Sequence, residues 1–279
     1  MGFVEAIILG LVQGLTEFLP ISSSAHLRIV GEFLPSAVDP GATFTAITQI
    51  GTELAVLIYF AKRIGRVIAA WFASLRPGRT DTARMTPDAR LGWIVIIGTI
   101  PIVIAGYFLQ EYIRSTFRSL ILVALVLIVF GLLLGAADYL GRRVHDMDQL
   151  SLRDGLIVGL AQMLALIPGV SRSGASTSMG LALGYTRHAA AELSFLLAVP
   201  AVFGSGLYEL VTALKDPGAS PFTWAETGVA TGVAFVVGLA VIAFLMKWLQ
   251  TRSFMPFVIY RLLLGTALLV LIGLGILQP

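Results

Sequence analysis

Two short polar segments interrupt a very apolar chain, and between them they hold an acid, an imidazole, a guanidinium and a run of hydroxyls. The first reads QGLTEFLPISSSAH, from Gln13 to His26. The second reads PGVSRSGAST, from Pro168 to Thr177. Gln13 and Glu17 are spaced four apart, so they share a helix face before Pro20 ends that helix. Ser22, Ser23, Ser24 and His26 follow it. This set suits proton transfer and nucleophilic attack, with Glu17, Ser23 and His26 as the candidate catalytic residues. Ser23 precedes His26 by three residues, so on a helix the hydroxyl and the imidazole can meet and the ring can take the serine proton. The rival assignment makes His26 itself the nucleophile. The plain alternative is a Glu17–His26 pair that only locks the turn, since an ionisable group at membrane depth needs a partner or water.

The second segment is an anion site by composition. Gly169 and Gly174 let backbone approach a ligand closely. Ser171, Ser173, Ser176 and Thr177 supply hydroxyls, and the amides after the Pro168–Gly169 break open a helix N-terminus. Arg172 adds a planar fork of donors matched to phosphate oxygens. The candidate phosphate-binding set is therefore Arg172, Ser171, Ser173, Ser176 and Gly169, with Ser22 from the first segment. Glu17 with Gln13 as a second oxygen donor could hold Mg²⁺ or Ca²⁺. One carboxylate is a thin metal site without substrate phosphates beside it. Structural alternatives exist for the serines, which commonly satisfy backbone freed at a helix break, and for Arg172, which could simply pair with Glu17.

The elements that must position these groups are helical and membrane-embedded. Of 279 residues, 57% are hydrophobic and only 13% charged, with a mean hydropathy of +0.90. Soluble domains carry about 25% charged residues. Cysteine is absent, which removes disulfides, thiolate metal sites and cysteine nucleophiles. The N-terminus has an acid where a signal peptide would be basic, so no cleaved signal is expected. A net charge of +3, with no basic patch interleaved with aromatics, gives no reason to expect nucleic acid.

The two polar segments belong to a duplication. Offset by 149 residues, Ile8/Ile157, Gly10/Gly159, Leu11/Leu160, Gln13/Gln162, Leu15/Leu164, Ser22/Ser171 and Ser24/Ser173 coincide. Matching interrupted apolar segments in two halves mark a duplicated membrane fold whose site lies where the broken helices meet. A crossing helix needs about 20 apolar residues; spans are expected near 41–61, 91–109, 118–139, 187–212, 225–249 and 256–277. The broken segments, 2–34 and 154–185, are expected as re-entrant hairpins. Seven Lys and Arg residues lie between Lys62 and Arg90, a polar connector expected to be cytoplasmic along with Arg142, Arg143, Lys247 and Arg252. That register works only if each hairpin returns to its own side. The expectation is an all-α polytopic membrane protein: one integral membrane domain of two inverted repeats, approximately 1–140 and 141–279. It contains six transmembrane helices and two oppositely inserted hairpins. Gly10/Gly14, Gly131/Gly135, Gly180/Gly184 and Gly228/Gly232 are expected to serve close helix packing.

On QGLTE, FLPISSSAH and PGVSRSGAS the chain resembles the bacitracin-resistance type undecaprenyl-diphosphate phosphatases. Gln13/Glu17 falls on that family's (E/Q)xxxE motif, Ser22/Ser23/His26 on its serine-serine-x-x-His stretch, and Pro168/Gly169/Ser171/Arg172/Ser173 on its PGxSRSxxT motif. Ser176 stands where the family has Thr, with Thr177 next to it. The ELSFLLAVP segment from Glu192 and the PFVIYR segment from Pro256 extend the resemblance over essentially the whole chain. It implies an inner-membrane enzyme that removes the terminal phosphate of undecaprenyl diphosphate for cell-wall carrier-lipid recycling. A divalent cation and a site open to the extracytoplasmic side are implied too. The expected partners are the polyprenyl diphosphate lipid and the bilayer; a homodimer is compatible with this reading, which sets no oligomeric state. The runner-up is a lipid-phosphate or anion transporter, or flippase, using the same inverted-repeat site.

Overall fold

The computed structural model describes residues 2–35, 40–76, 85–109, 119–215 and 221–277. Among them the chain is all-helical. In order, the α-helices are α1 (Phe3–Thr16), α2 (Ser23–Phe33), α3 (Gly41–Tyr59), α4 (Ala61–Ser74), α5 (Pro87–Phe108) and α6 (Leu120–Leu140). They are followed by α7 (Leu152–Met163), α8 (Arg172–Ala182), α9 (Arg187–Lys215), α10 (Trp224–Trp248) and α11 (Met255–Gly273). Five of them, α5, α6, α9, α10 and α11, are long and apolar enough to cross a membrane, and α3 with α4 makes a sixth candidate bent by 79°. Large apolar side chains such as Val129, Leu132 and Leu133 on α6 are exposed, as lipid-facing helices require.

The two broken segments are helix–break–helix units, and proline chemistry sets where each break begins. A proline ring clashes with the carbonyl four residues earlier and offers no N–H. Four residues before Pro20 is Thr16, where α1 ends. Four before Pro168 is Leu164, where α7 gives way to a 3₁₀ turn, Leu164–Leu166. Each break closes on a serine with positive φ, Ser22 at 73° and Ser171 at 70°. Such a backbone costs about 1–3 kcal/mol and persists only where surrounding contacts hold it. Both serines cap the next helix, Ser22 accepting from Ala25 N and Ser171 from Gly174 N.

The polar connector expected over 62–90 is largely helical instead. Its first part is α4, which carries Lys62, Arg63 and Arg66 on one side and buries Val67. The spacing of Ile64, Val67, Ile68 and Trp71 is helical, and the β-carbon of Trp71 lies against Gly92 of α5. Residues 77–84 of that connector, including Arg79, Asp81 and Arg84, lie outside the described residues.

Close packing through glycine holds at some of the expected pairs and fails at one. A β-carbon on Gly10 would lie 2.6 Å from the Ala230 carbonyl of α10, and one on Gly159 would lie 2.2 Å from the Gly98 carbonyl of α5. Gly14 is equally tight against α10, while Gly131 and Gly135 face Arg261 and Val258 of α11. Gly180 packs on Ala190, and Gly184 is a turn residue with φ +92°. Gly228 and Gly232 meet no described atom within 4 Å, so the packing reading does not apply there.

Candidate active site

The two breaks are tied to each other, and two of the expected phosphate-binding hydroxyls, Ser22 and Ser173, make the tie. The Gly169 amide donates to Ser22 Oγ at 3.2 Å, crossing from the second break to the first. In return Ser173 Oγ donates to the Leu19 carbonyl at 3.3 Å. Ser22 and Ser24 lie 3.2 Å apart through their hydroxyls, as do Ser171 and Ser173. Ser176 donates to the Arg172 carbonyl at 2.8 Å. In this structure Gly169, Ser22, Ser171, Ser173 and Ser176 hold backbone in place, and of the expected phosphate-binding set Arg172 alone is directed at the acids.

Underneath both breaks lies a residue that sequence reasoning missed. Arg261 of α11 is fully buried. Its guanidinium donates to the carbonyls of Pro20 and Val170 at 3.0 Å each and to Gly169 at 2.7 Å. It also reaches Leu127 at 3.1 Å and Val126 at 3.5 Å. The Pro20, Gly169 and Val170 carbonyls lie in the breaks, where interrupted helices leave acceptors without N–H partners. One cation thus satisfies both breaks and holds them side by side.

The ionisable groups converge on Arg172. Its Nη2 donates to Glu17 Oε1 at 2.8 Å and to Glu53 Oε1 at 2.6 Å. Glu17 Oε2 accepts from Gln13 Nε2 at 2.6 Å, from Ser23 Oγ at 2.6 Å and from Gln49 Nε2 at 3.4 Å. Glu53 and Gln49 were not among the candidates. Their signal is visible in retrospect, because QIGTE at 49–53 repeats the QxxTE spacing of QGLTE at 13–17.

Three buried polar atoms of this cluster have no partner among the described residues: Arg172 Nη1, Gln13 Oε1 and Glu53 Oε2. A buried polar atom left unpaired costs about 1–3 kcal/mol, so such atoms belong where a ligand is met. One spare donor suits a phosphate oxygen. Two spare oxygen acceptors beside a carboxylate suit a hard cation. The Arg172 side chain retains 14% exposure, so the cluster is reachable from outside.

Ser23 and His26 do not form the expected hydrogen bond. Ser23 donates to Glu17. His26 Nδ1 lies 2.7 Å from the Ser22 carbonyl, and its Nε2 lies 2.7 Å from Tyr260 Oη. A carbonyl only accepts, so Nδ1 carries a proton; in the neutral ring Nε2 is then the acceptor and the phenol donates to it. Tyr260 stacks nearly parallel to the imidazole at 11° and is 42% exposed on α11. Helical spacing alone put Ser23 and His26 on one face; the nearby carboxylate and carbonyl win the hydrogen bonds.

Residues 6–267 match the family described as "Bacitracin resistance protein BacA". The chain belongs to that family. It is 61% identical over 279 residues to the "Undecaprenyl-diphosphatase" of Micrococcus luteus, covering all of both chains. It is 62% identical over 275 residues to the protein of the same name from Clavibacter michiganensis subsp. michiganensis, covering 99% of this chain and 98% of that one. Against the "Undecaprenyl-diphosphatase 2" of Streptomyces coelicolor the identity is 52% over 292 aligned positions, with 100% and 98% covered.

Proposed function

We infer that this protein is an undecaprenyl-diphosphatase of the multi-pass membrane type, releasing inorganic phosphate and undecaprenyl phosphate and so conferring bacitracin resistance. The observation that carries the chemistry is the contact of Ser23 with Glu17, whose other oxygen is held by a guanidinium with a spare donor. Arg172 Nη1 takes the terminal phosphoryl group and stabilises its developing charge. Ser23 Oγ attacks the phosphorus while its proton passes to Glu17, and the bond to the leaving undecaprenyl phosphate breaks. Glu17 gives that proton to the leaving undecaprenyl phosphate; water then attacks the phosphoserine, giving its proton to Glu17, which returns it to the Ser23 oxygen as the bond to phosphorus breaks. His26 as nucleophile is the rival assignment.

A divalent cation, Mg²⁺ or Ca²⁺, fits the donor set. Glu17 and the unpartnered Gln13 Oε1 are hard oxygen ligands. When bound, it would neutralise phosphate charge. Among the described residues no group of three or more His, Cys, Asp or Glu gathers, so substrate oxygens would complete its coordination. The direct test is phosphate release from undecaprenyl diphosphate by purified protein in detergent, with and without EDTA. Release that stops on chelation supports the account; no release from a folded sample overturns it.

The finer architecture is a pair of inverted repeats, about 1–140 and 141–279, each with one re-entrant hairpin. Three matches support it: the positive φ at Ser22 and Ser171, the paired serines behind them, and crossed packing. In that packing α1 lies on α10 of the second half, and α7 lies on α5 of the first. The site opens to the extracytoplasmic side of the inner membrane. Basic residues support this orientation, because they collect at one end. Arg63 pairs with Asp88 at 2.9 Å and Glu192 at 3.5 Å, Arg90 donates to the Asp148 carbonyl at 2.6 Å, and Arg187 pairs with Asp138 at 2.5 Å. A basic end faces the cytoplasm. The chain lacks cysteine, so Arg66→Cys, at a side chain 58% exposed, gives a clean label. It should resist an impermeant thiol reagent in intact cells and react after lysis. Reaction in intact cells would invert the orientation.

A further inference from the structure

We propose that Glu53 is the second carboxylate of the active site, holding Arg172 through Oε1 and offering Oε2, together with Glu17 and the side-chain oxygen of Gln13, to a divalent cation. The assignment rests on the phosphatase reading of this cluster and extends it to a third helix.

Glu53 is fully buried in α3, and Glu17 is nearly so at 6% exposure. Both carboxylates take a hydrogen bond from the same nitrogen of the same guanidinium. One cation between two acids leaves an uncompensated negative charge in a dry site, which is expensive. If Glu53 served only to orient Arg172, Glu17 would already do so. What sets Glu53 apart is the oxygen it keeps: Oε2 is buried and has no partner among the described residues. Gln13 Oε1 is in the same condition, and Gln13 reaches Glu17 through its amide at 2.6 Å. The free atoms are thus acceptors on the acid-rich side and a single donor on the Arg172 side. A cation on the first offsets the excess acid charge, and a phosphate on the second meets the remaining donor.

The duplicated QxxTE spacing shows how two helices deliver equivalent groups. Gln13 and Glu17 lie one turn apart at the end of α1, and Gln49 and Glu53 lie one turn apart within α3. Gln13 and Gln49 both donate to Glu17 Oε2. A carboxylate at position 13 would therefore reach the same cluster from the other side. The negative charge should be transferable: what the site needs is two acids around Arg172, and position 53 is where this chain puts the second.

The test compares wild type, Glu53→Gln and the double variant Glu53→Gln/Gln13→Glu, each purified in detergent. Thermal midpoints are read without substrate over a titration of Ca²⁺ or Mg²⁺, and phosphate release is read separately. A ligand that binds only the folded state raises the midpoint. Wild type should show a cation-dependent rise. Glu53→Gln should lose the rise and drop kcat by about 100-fold, and the double variant should regain the rise and recover kcat to within about tenfold of wild type. A rise that survives in Glu53→Gln reduces Glu53 to a structural partner of Arg172 and overturns the proposal. So does a double variant that keeps a wild-type basal midpoint yet regains neither property. A rise that depends on Glu53 in a protein that hydrolyses no undecaprenyl diphosphate would sink the phosphatase reading and leave the cation assignment standing.

Discussion

Arg172→Lys is expected to lower turnover by about 10²–10³-fold while the protein stays folded, the scale seen when one charge-stabilising donor is removed from a transition state. The guanidinium performs two tasks at once. Nη2 is shared by Glu17 and Glu53 at 2.8 and 2.6 Å, and Nη1 is left for substrate. A lysine ammonium is one point charge with no fork. It can pair with the two acids as the guanidinium does, which keeps the fold, but it then has no second nitrogen for the phosphoryl oxygens. Loss should appear mostly in kcat, because the phosphoryl charge grows toward the transition state. Hydrolysis near the wild-type rate by a folded Arg172→Lys protein would remove Arg172 from substrate binding and return it to a structural pair with the two glutamates.

Arg261→Met should cost both stability and activity. Methionine fills the volume but strands the carbonyls of Pro20, Gly169 and Val170, each now satisfied by the guanidinium. Each stranded buried acceptor costs about 1–3 kcal/mol, and the strained Ser22 and Ser171 backbones lose what holds them. The expected drop in thermal midpoint is on the order of 10 °C, with phosphate release falling even below that midpoint as the breaks move apart. Arg261→Lys, which keeps the charge and some donors, should fall between. A methionine variant that melts within about 2 °C of wild type would mean that water or neighbouring amides satisfy these carbonyls instead.

What could be read from the chain alone follows a simple physical division. Pro20 and Pro168 announce the breaks because a proline acts locally, on the carbonyl four residues back. Glu17, His26 and Arg172 stand out because an ionisable group in so apolar a chain demands an explanation. Glu53 passes unnoticed inside an otherwise ordinary apolar span, although its QxxTE spacing copies that of Glu17. Arg261 and Tyr260 lie in the PFVIYR segment that carries part of the family resemblance, but nothing local in it names their partners. Their partners, Pro20 and His26, lie more than 230 residues away in sequence, with separations of 241 and 234. The helix α4 was obscured by its arginines, which read as a polar connector although the apolar residues between them keep helical spacing. Ser23 and His26 show the limit of spacing arguments: three apart on α2 is the right separation, but Glu17 and the Ser22 carbonyl are better acceptors within reach.

The account's central claim is that the two breaks join to make one phosphoryl-transfer site, with Ser23 attacking and Glu17 taking its proton. The most direct test is to supply undecaprenyl diphosphate labelled in its terminal phosphate, quench during turnover and map the label on the protein. The account predicts an acid-stable phosphoserine at Ser23, with neither label nor turnover in Ser23→Ala. An acid-labile, alkali-stable label at His26 would contradict it and make the imidazole the nucleophile, and unlabelled protein under every quench during active turnover would contradict it in favour of direct attack by water.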